Sequence, residues 1–215
     1  MKRRIVMLGP PASGKGTQAG LIEARFGIPV TSPGAILRKE RKAGTSLGLS
    51  AERMTSQGLL LPDHIIVGVI SNWLETCDDQ FVFDGFPRTI GQADTLEELL
   101  HLRGTPLDVV IALEADLPTL QSRVAHRLMC QSCGEIVSVG LHVSSEMDPC
   151  PKCGGTLGKR SDDSLETLSA RMVEYHEKTE PLVAYYKAKG LLREVDSTKV
   201  PAEVFEAITS ILESK

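Results

Sequence analysis

Residues 4 to 17 read RIVMLGPPASGKGT: a short apolar run, a loop of glycine and proline, and then Gly14 and Lys15 at the head of a helical pattern continued by Leu21, Ile22 and Arg25. Backbone N–H groups of such a loop converge on phosphate oxygens, the helix N-terminus adds its positive end, and Lys15 supplies a point charge to the outer phosphates. A plain tight turn between strand and helix is the structural alternative. The conjunction of strand, loop, Gly-Lys and helix weighs against it. The wider pattern places a serine or threonine directly after the lysine, where the hydroxyl ligates Mg2+. Here Gly16 stands in that place and Thr17 follows, so Mg2+ is expected to be held mainly through waters and phosphates.

Outward from this loop, short apolar runs alternate with longer helical patterns, which points to an α/β fold with a parallel sheet. Strands are expected at Arg4 to Leu8, Ile28 to Thr31, Phe81 to Phe83, Val109 to Leu113 and Leu192 to Val195. A helix is expected behind Pro62 and Asp63, where Ile65, Ile66, Val69, Ile70, Trp73 and Leu74 recur at helical spacing. Another is expected from Asp163, as a carboxylate cap, through Tyr186 with a kink at Pro181, and a last one opens at Pro201. Two stretches interrupt the alternation. Residues 32 to 61 read as short helical fragments, and residues 128 to 160 carry four of the five cysteines and five of the 19 glycines without helical period.

The run FVFDGFPRTIGQA at 81 to 93 ends a strand in Asp84 and continues to Arg88 and Gln92. Ligands in open α/β sheets gather at the carboxyl ends of strands, so Asp84 is placed to orient Mg2+-bound water and Arg88 to fork onto a phosphate. Taken alone, such an aspartate equally caps a turn. Arg123 and Arg127 lie four apart on a predicted helix, and Arg160 and Arg171 flank the start of the next. Surface ion pairs are the plain reading of such residues; beside a phosphate loop they suggest a clamp on a transferring phosphoryl group.

Cys130 and Cys133, sixteen intervening residues, then Cys150 and Cys153 have the spacing of a closed four-thiolate zinc site. Four thiolates leave no open position, so this metal is expected to fold a segment too small to have its own core. The chain has 24 basic against 28 acidic residues, a net charge of −4, which disfavours general nucleic-acid or anionic-membrane binding. With 41% apolar and 24% charged residues the composition excludes a disordered or collagenous chain. The apolar run after MKRR is too short for a secretion signal and no stretch is long enough to span a membrane, so a cytoplasmic location is expected.

GPPASGKGTQ, then DGFPRT with Gln92, then the CxxCG insertion, then RSDD ahead of Arg171, in this order, resemble the adenylate kinases of the long type with a zinc-bearing lid, over about Ile5 to Leu212. The resemblance implies a phosphate-loop core with a five-stranded parallel sheet flanked by helices, at 1–31, 62–125 and 164–215. It also implies an acceptor-nucleotide domain at 32–61 and a lid at 126–163. The implied reaction is ATP + AMP = 2 ADP, with Mg2+, by a monomer that takes no nucleic acid or membrane partner. ATP would be held by Ala12, Ser13, Gly14, Lys15, Gly16, Thr17, Arg123, Arg127, Ile136, Val137 and Lys199. AMP would be held by Pro33, Arg38, Leu59, Leu60, Leu61, Gly85, Phe86, Pro87, Arg88, Gln92, Arg160 and Arg171. Lys15, Asp84, Arg88, Arg127, Arg160 and Arg171 would serve catalysis.

Several positions depart from that family's pattern. Pro33 stands for a threonine facing the acceptor base, Ala35 for an aspartate, Leu128 for a second lid arginine and Val137 for a lid tyrosine. Ala12 stands for a loop glycine and is expected to need a negative φ. Other readings of the residues are a UMP/CMP-type kinase, a zinc-ribbon nucleic-acid-binding ATPase, and a catalytically weak relative. The ribbon is disfavoured because Glu135, Glu146, Asp148 and Lys152 leave it acidic and no aromatic residue offers a stacking face.

Overall fold

A computed structural model describes residues 1–56, 61–77, 79–159 and 163–214. Strands β1 (Arg4–Leu8), β2 (Val30–Thr31), β3 (Phe81–Asp84), β4 (Val109–Glu114) and β8 (Leu192–Asp196) form one sheet in the order β2-β3-β1-β4-β8. All its pairings are parallel. The strands read as continuous apolar runs because both faces are covered. The period of two sorts the side chains: Val6, Leu8, Phe81, Phe83, Val110 and Ala112 turn to one core, and Ile5, Met7, Val82, Val109, Ile111 and Leu113 to the other.

Helices α4 (Asp63–Leu74), α5 (Ile90–Leu102) and α8 (Pro181–Ala188) close the first core, through Ile70, Leu96 and Tyr186 among others. The second is closed by α1 (Lys15–Phe26) and α9 (Pro201–Glu213), where Ile22, Val204, Ile208 and Leu212 are buried. Residues 33–56 hold α2 (Pro33–Lys42) and α3 (Ser46–Ser56), the short helical fragments expected there. Among the described residues no helix is long and apolar enough to cross a membrane.

Between α6 (Leu117–His126) and α7 (Leu165–Glu174) the chain builds a second, antiparallel sheet, β6-β5-β7, from β5 (Arg127–Cys130), β6 (Ile136–Ser138) and β7 (Leu157–Gly158). Arg127 opens β5 in extended conformation and so does not share a helix face with Arg123. Two further expectations are corrected here. Ser164, not Asp163, caps α7, its Oγ accepting from the Thr167 N–H at 3.0 Å, because Asp163 is drawn away by Arg127. The break near Pro181 falls one turn earlier, as a π-helical turn at Tyr175–Thr179 in which the Glu180 N–H bonds the Tyr175 carbonyl at 2.8 Å. A proline ring crowds the turn before it and brings no N–H, and the wider turn absorbs that crowding. Pro181 then opens α8 at a position where its missing N–H costs nothing.

Candidate active site

The phosphate-loop residues lie where β1 ends and α1 begins, at the carboxyl edge of the five-stranded sheet. Gly9, with φ +145°, leaves no room for a side chain: a Cβ there would meet the Leu113 carbonyl at 2.6 Å. Lys15 curls back into the loop, its Nζ donating to the Gly9 and Pro10 carbonyls at 2.7 Å each. Burial pulls the Lys15 ammonium down to about 8; Asp84 opposes this, while Arg88, Arg171 and Arg127 push the same way as burial. Three guanidinium groups thus stand in the field of one half-buried ammonium, with Asp84 the carboxylate that opposes them. Asp84, at the end of β3, has its carboxyl pushed up by burial and drawn down by Lys15 and Arg88. A Cβ on Gly16 would stand 3.4 Å from Asp84 Oδ2, so the absent hydroxyl leaves the approach to this carboxylate open.

Ala12 departs from what the sequence implied. Its φ is +64°, in the left-handed region, a conformation costing a non-glycine residue about 1–2 kcal/mol. The methyl packs at the edge of a small core of Leu120, Val124 and Leu168, which offsets part of that strain. Ser13 is buried, Gly14 takes φ +97° ahead of α1, and Thr17 lies on the first turn of that helix.

Among the described arginines, Arg88 and Arg171 line one cleft with Lys15, Gly85 and Glu174, and Arg88 Nε donates to the Gly85 carbonyl at 2.9 Å. Phe86 and Pro87 are buried behind them. Arg127 is paired instead with Asp163, whose side chain is only 1% exposed: Nε bonds Oδ2 at 2.7 Å and Nη2 bonds Oδ1. Arg123 donates to the Ser13 carbonyl at 3.0 Å and to the Ser197 carbonyl, bridging the phosphate loop to the turn that carries Lys199. Ile136 is exposed on β6 while Val137 turns into the core of the small sheet. Pro33 is buried as the first residue of α2, Arg38 is exposed on that helix and Leu61 is half-buried. Gln92 is buried with both ends of its amide bonded. Leu59, Leu60 and Arg160 lie outside the described residues.

Sequence reading missed Tyr175, Lys178 and Thr179, which line the same cleft. Burial, with Glu180 and Glu114, pushes the Tyr175 phenol up to about 12. It also missed Asp163 as the partner of Arg127 and Asp63 as the partner of Gln92; no local pattern links residues so far apart.

The four cysteines expected to hold a metal are together, their sulfurs all within 4.8 Å of one another. Cys130 and Cys153 Sγ are 3.5 Å apart, and Cys133 and Cys150 Sγ 3.8 Å. The edge of a tetrahedron with metal–sulfur bonds of about 2.3 Å is about 3.8 Å, so the donor set fits a closed tetrahedral site. Its two halves repeat one turn: the Gly134 N–H bonds the Cys130 carbonyl at 2.9 Å and the Gly154 N–H the Cys150 carbonyl at 2.8 Å, both glycines at positive φ. The N–H groups of Cys133 and Ser132, against the effect of burial, draw the Cys130 thiol down to about 6.

Comparison with known proteins points to one family. A sequence model of the family described as adenylate kinase matches residues 7–191. The adenylate kinase of Syntrophotalea carbinolica is 43% identical over 211 residues, covering 97% of this chain and 98% of the relative. That of Magnetococcus marinus is 40% identical over 211 residues, with 97% and 99% covered. That of Methanosarcina barkeri is 42% identical over 210 residues, with 97% of each covered.

Proposed function

The chain belongs to the adenylate kinase family and is a nucleoside-monophosphate kinase moving phosphoryl groups between adenine nucleotides; on that premise we propose that it runs ATP + AMP = 2 ADP by in-line transfer within an arginine clamp. The observation that carries the clamp is the cleft in which half-buried Lys15 lies with Arg88 and Arg171, its ammonium drawn down to about 8 with those groups and Arg127 in its field. Cations crowded in that way are placed to bind a polyphosphate, whose charge offsets their mutual repulsion. Bound phosphate would replace the Gly9 and Pro10 carbonyls on Lys15 Nζ and restore its ordinary protonation. Arg88, Arg171 and, by resemblance, Arg160 would hold the acceptor phosphate and the group in flight. Asp84 would accept from water on the Mg2+ that arrives with ATP, since a carboxylate at a strand's end suits that oxygen-rich shell.

The acceptor oxygen belongs to a phosphate already largely ionised at neutral pH, so no side-chain base is required. What the protein must supply is position, charge and the exclusion of water. Residues 126–163 would act as the lid that excludes it, hinged where Arg127 meets Asp163, and residues 32–61 as the acceptor-nucleotide domain. Arg123, at the edge where the loop meets Ser197, would cover the ATP base, beside the Ile136, Val137 and Lys199 backbone. Pro33, Arg38 and Leu61 would line the acceptor side. Zn2+ at the four cysteines would fix the fold of the lid and take no part in transfer, because four thiolates fill its coordination.

Incubation with ADP and Mg2+ tests the reaction. ATP and AMP formed in equal amounts are expected; inorganic phosphate alone, or no product, would overturn the reading.

A further inference from the structure

Gln92 is 6% exposed, and its amide is held from both ends. Oε1 accepts from the Arg88 backbone N–H at 2.8 Å, and Nε2 donates to Asp63 Oδ1 at 2.6 Å. A backbone N–H can only donate and a carboxylate can only accept. Turning the amide over would therefore set N–H against N–H and oxygen against carboxylate, leaving two partly buried polar contacts repulsive. Asp63 is fixed in its turn: it is the first residue of α4, where the helix N-terminus favours a negative charge. Its other oxygen, Oδ2, lies 3.4 Å from the hydroxyl of Thr89, the residue that caps α5. The carboxylate thus ties two helix starts to one amide.

With one lone pair and one N–H engaged by the protein, the Gln92 amide keeps one acceptor and one donor for a ligand. A 6-aminopurine offers an amine donor at N6 and an acceptor at N1. A 6-oxopurine offers the reverse, an acceptor at O6 and a donor at N1. An amide that cannot turn over matches the first and opposes the second. We propose that Asp63 is a specificity-determining positioning residue: by holding the Gln92 amide in one orientation it makes the acceptor site take 6-aminopurine monophosphates and reject 6-oxopurine ones. This rests on the reading of Gln92 as the contact to the acceptor base.

Asparagine at position 63 tests it, because its amide can accept or donate and so leaves the Arg88 N–H alone to dictate which way Gln92 faces, while its shape is unchanged. In Asp63→Asn the kcat/KM for IMP relative to AMP is expected to rise about tenfold, through the KM for the monophosphate, with the KM for ATP unchanged. A merely structural role at the start of α4 would lower the melting temperature and weaken both monophosphates alike. An IMP-to-AMP ratio in Asp63→Asn within twofold of the parent, with the same ratio rising in Gln92→Ala, would overturn the role of Asp63. If Gln92→Ala also leaves the ratio unchanged, the reading of Gln92 itself fails, and the Asp63 proposal with it. Asp63→Ala, which removes the acceptor altogether, should raise the ratio as well and cost more AMP efficiency than Asp63→Asn.

Discussion

In the five-stranded sheet β1 sends Val6 and Leu8 to one core and Ile5 and Met7 to the other, with helices closing both faces. The three-stranded sheet gathers Leu128, Val137 and Leu157 with Cys130 and Cys150, so two of its five described core residues are prospective metal ligands. Three aliphatic side chains do little against the entropy of ordering the long loops around them. The first sheet therefore folds by burial and can carry strain at its edge, in Ala12 and the half-buried Lys15. The second has four sulfurs clustered where a metal could hold its shape.

Exchanging Lys15 for methionine should strike the first region's function without its fold. Transfer is expected to fall about 1,000-fold in Lys15→Met, as when a charge partner is removed from a closed site, with the protein still folding cooperatively. Retention of more than a few per cent of the rate would break the assignment of the loop. Removing metal, or Cys130→Ser, should do the opposite. Calorimetry is expected to show the cysteine-bearing region losing more than about 3 kcal/mol, since metal in such sites supplies much of the folding energy, while transfer persists at low temperature. Activity lost in proportion to metal, with that region still folded, would make the metal catalytic and erase the contrast.

The pH dependence sharpens the comparison further. Lys15 has its ammonium depressed from 10.5 in the unfolded chain to about 8 in the folded one. Between those values the unfolded chain holds the extra proton, so this group's contribution to stability is fully present above about pH 10.5 and is lost as pH falls through about 8. Parent and Lys15→Met should accordingly diverge in denaturant midpoint across that window, and kcat/KM of the parent should decline above about pH 8 as free Lys15 loses its proton. Parallel midpoints would show that the lysine is not buried in solution.

The smallest effect is expected at Ala12. Relief of its positive φ in Ala12→Gly should stabilise the protein by about 1 kcal/mol, less whatever the methyl contributes beside Leu120 and Val124. A loss of stability in urea denaturation would show that packing outweighs the strain.

What the sequence determined was what local pattern encodes. Five strands, the loop at Gly9 to Thr17 and the two Cys-x-x-Cys turns are each spelled within a few residues, by a period of two, by glycine and lysine, and by spacing. Tertiary structure alone decided the rest. Strand order, the pairing of Arg127 with Asp163 across 36 positions and of Gln92 with Asp63 across 29 come from packing, which brings distant segments together. Asp163 shows the limit plainly: its position before Ser164 and Glu166 suits a helix cap, yet the half-buried Arg127 guanidinium competes for it and leaves the cap to Ser164. Ala12 shows the same limit in the backbone, because residue type records only what φ prefers. The loop's closure against β4 and α6 fixes the φ that it has, and the core behind it supplies the energy to hold it there.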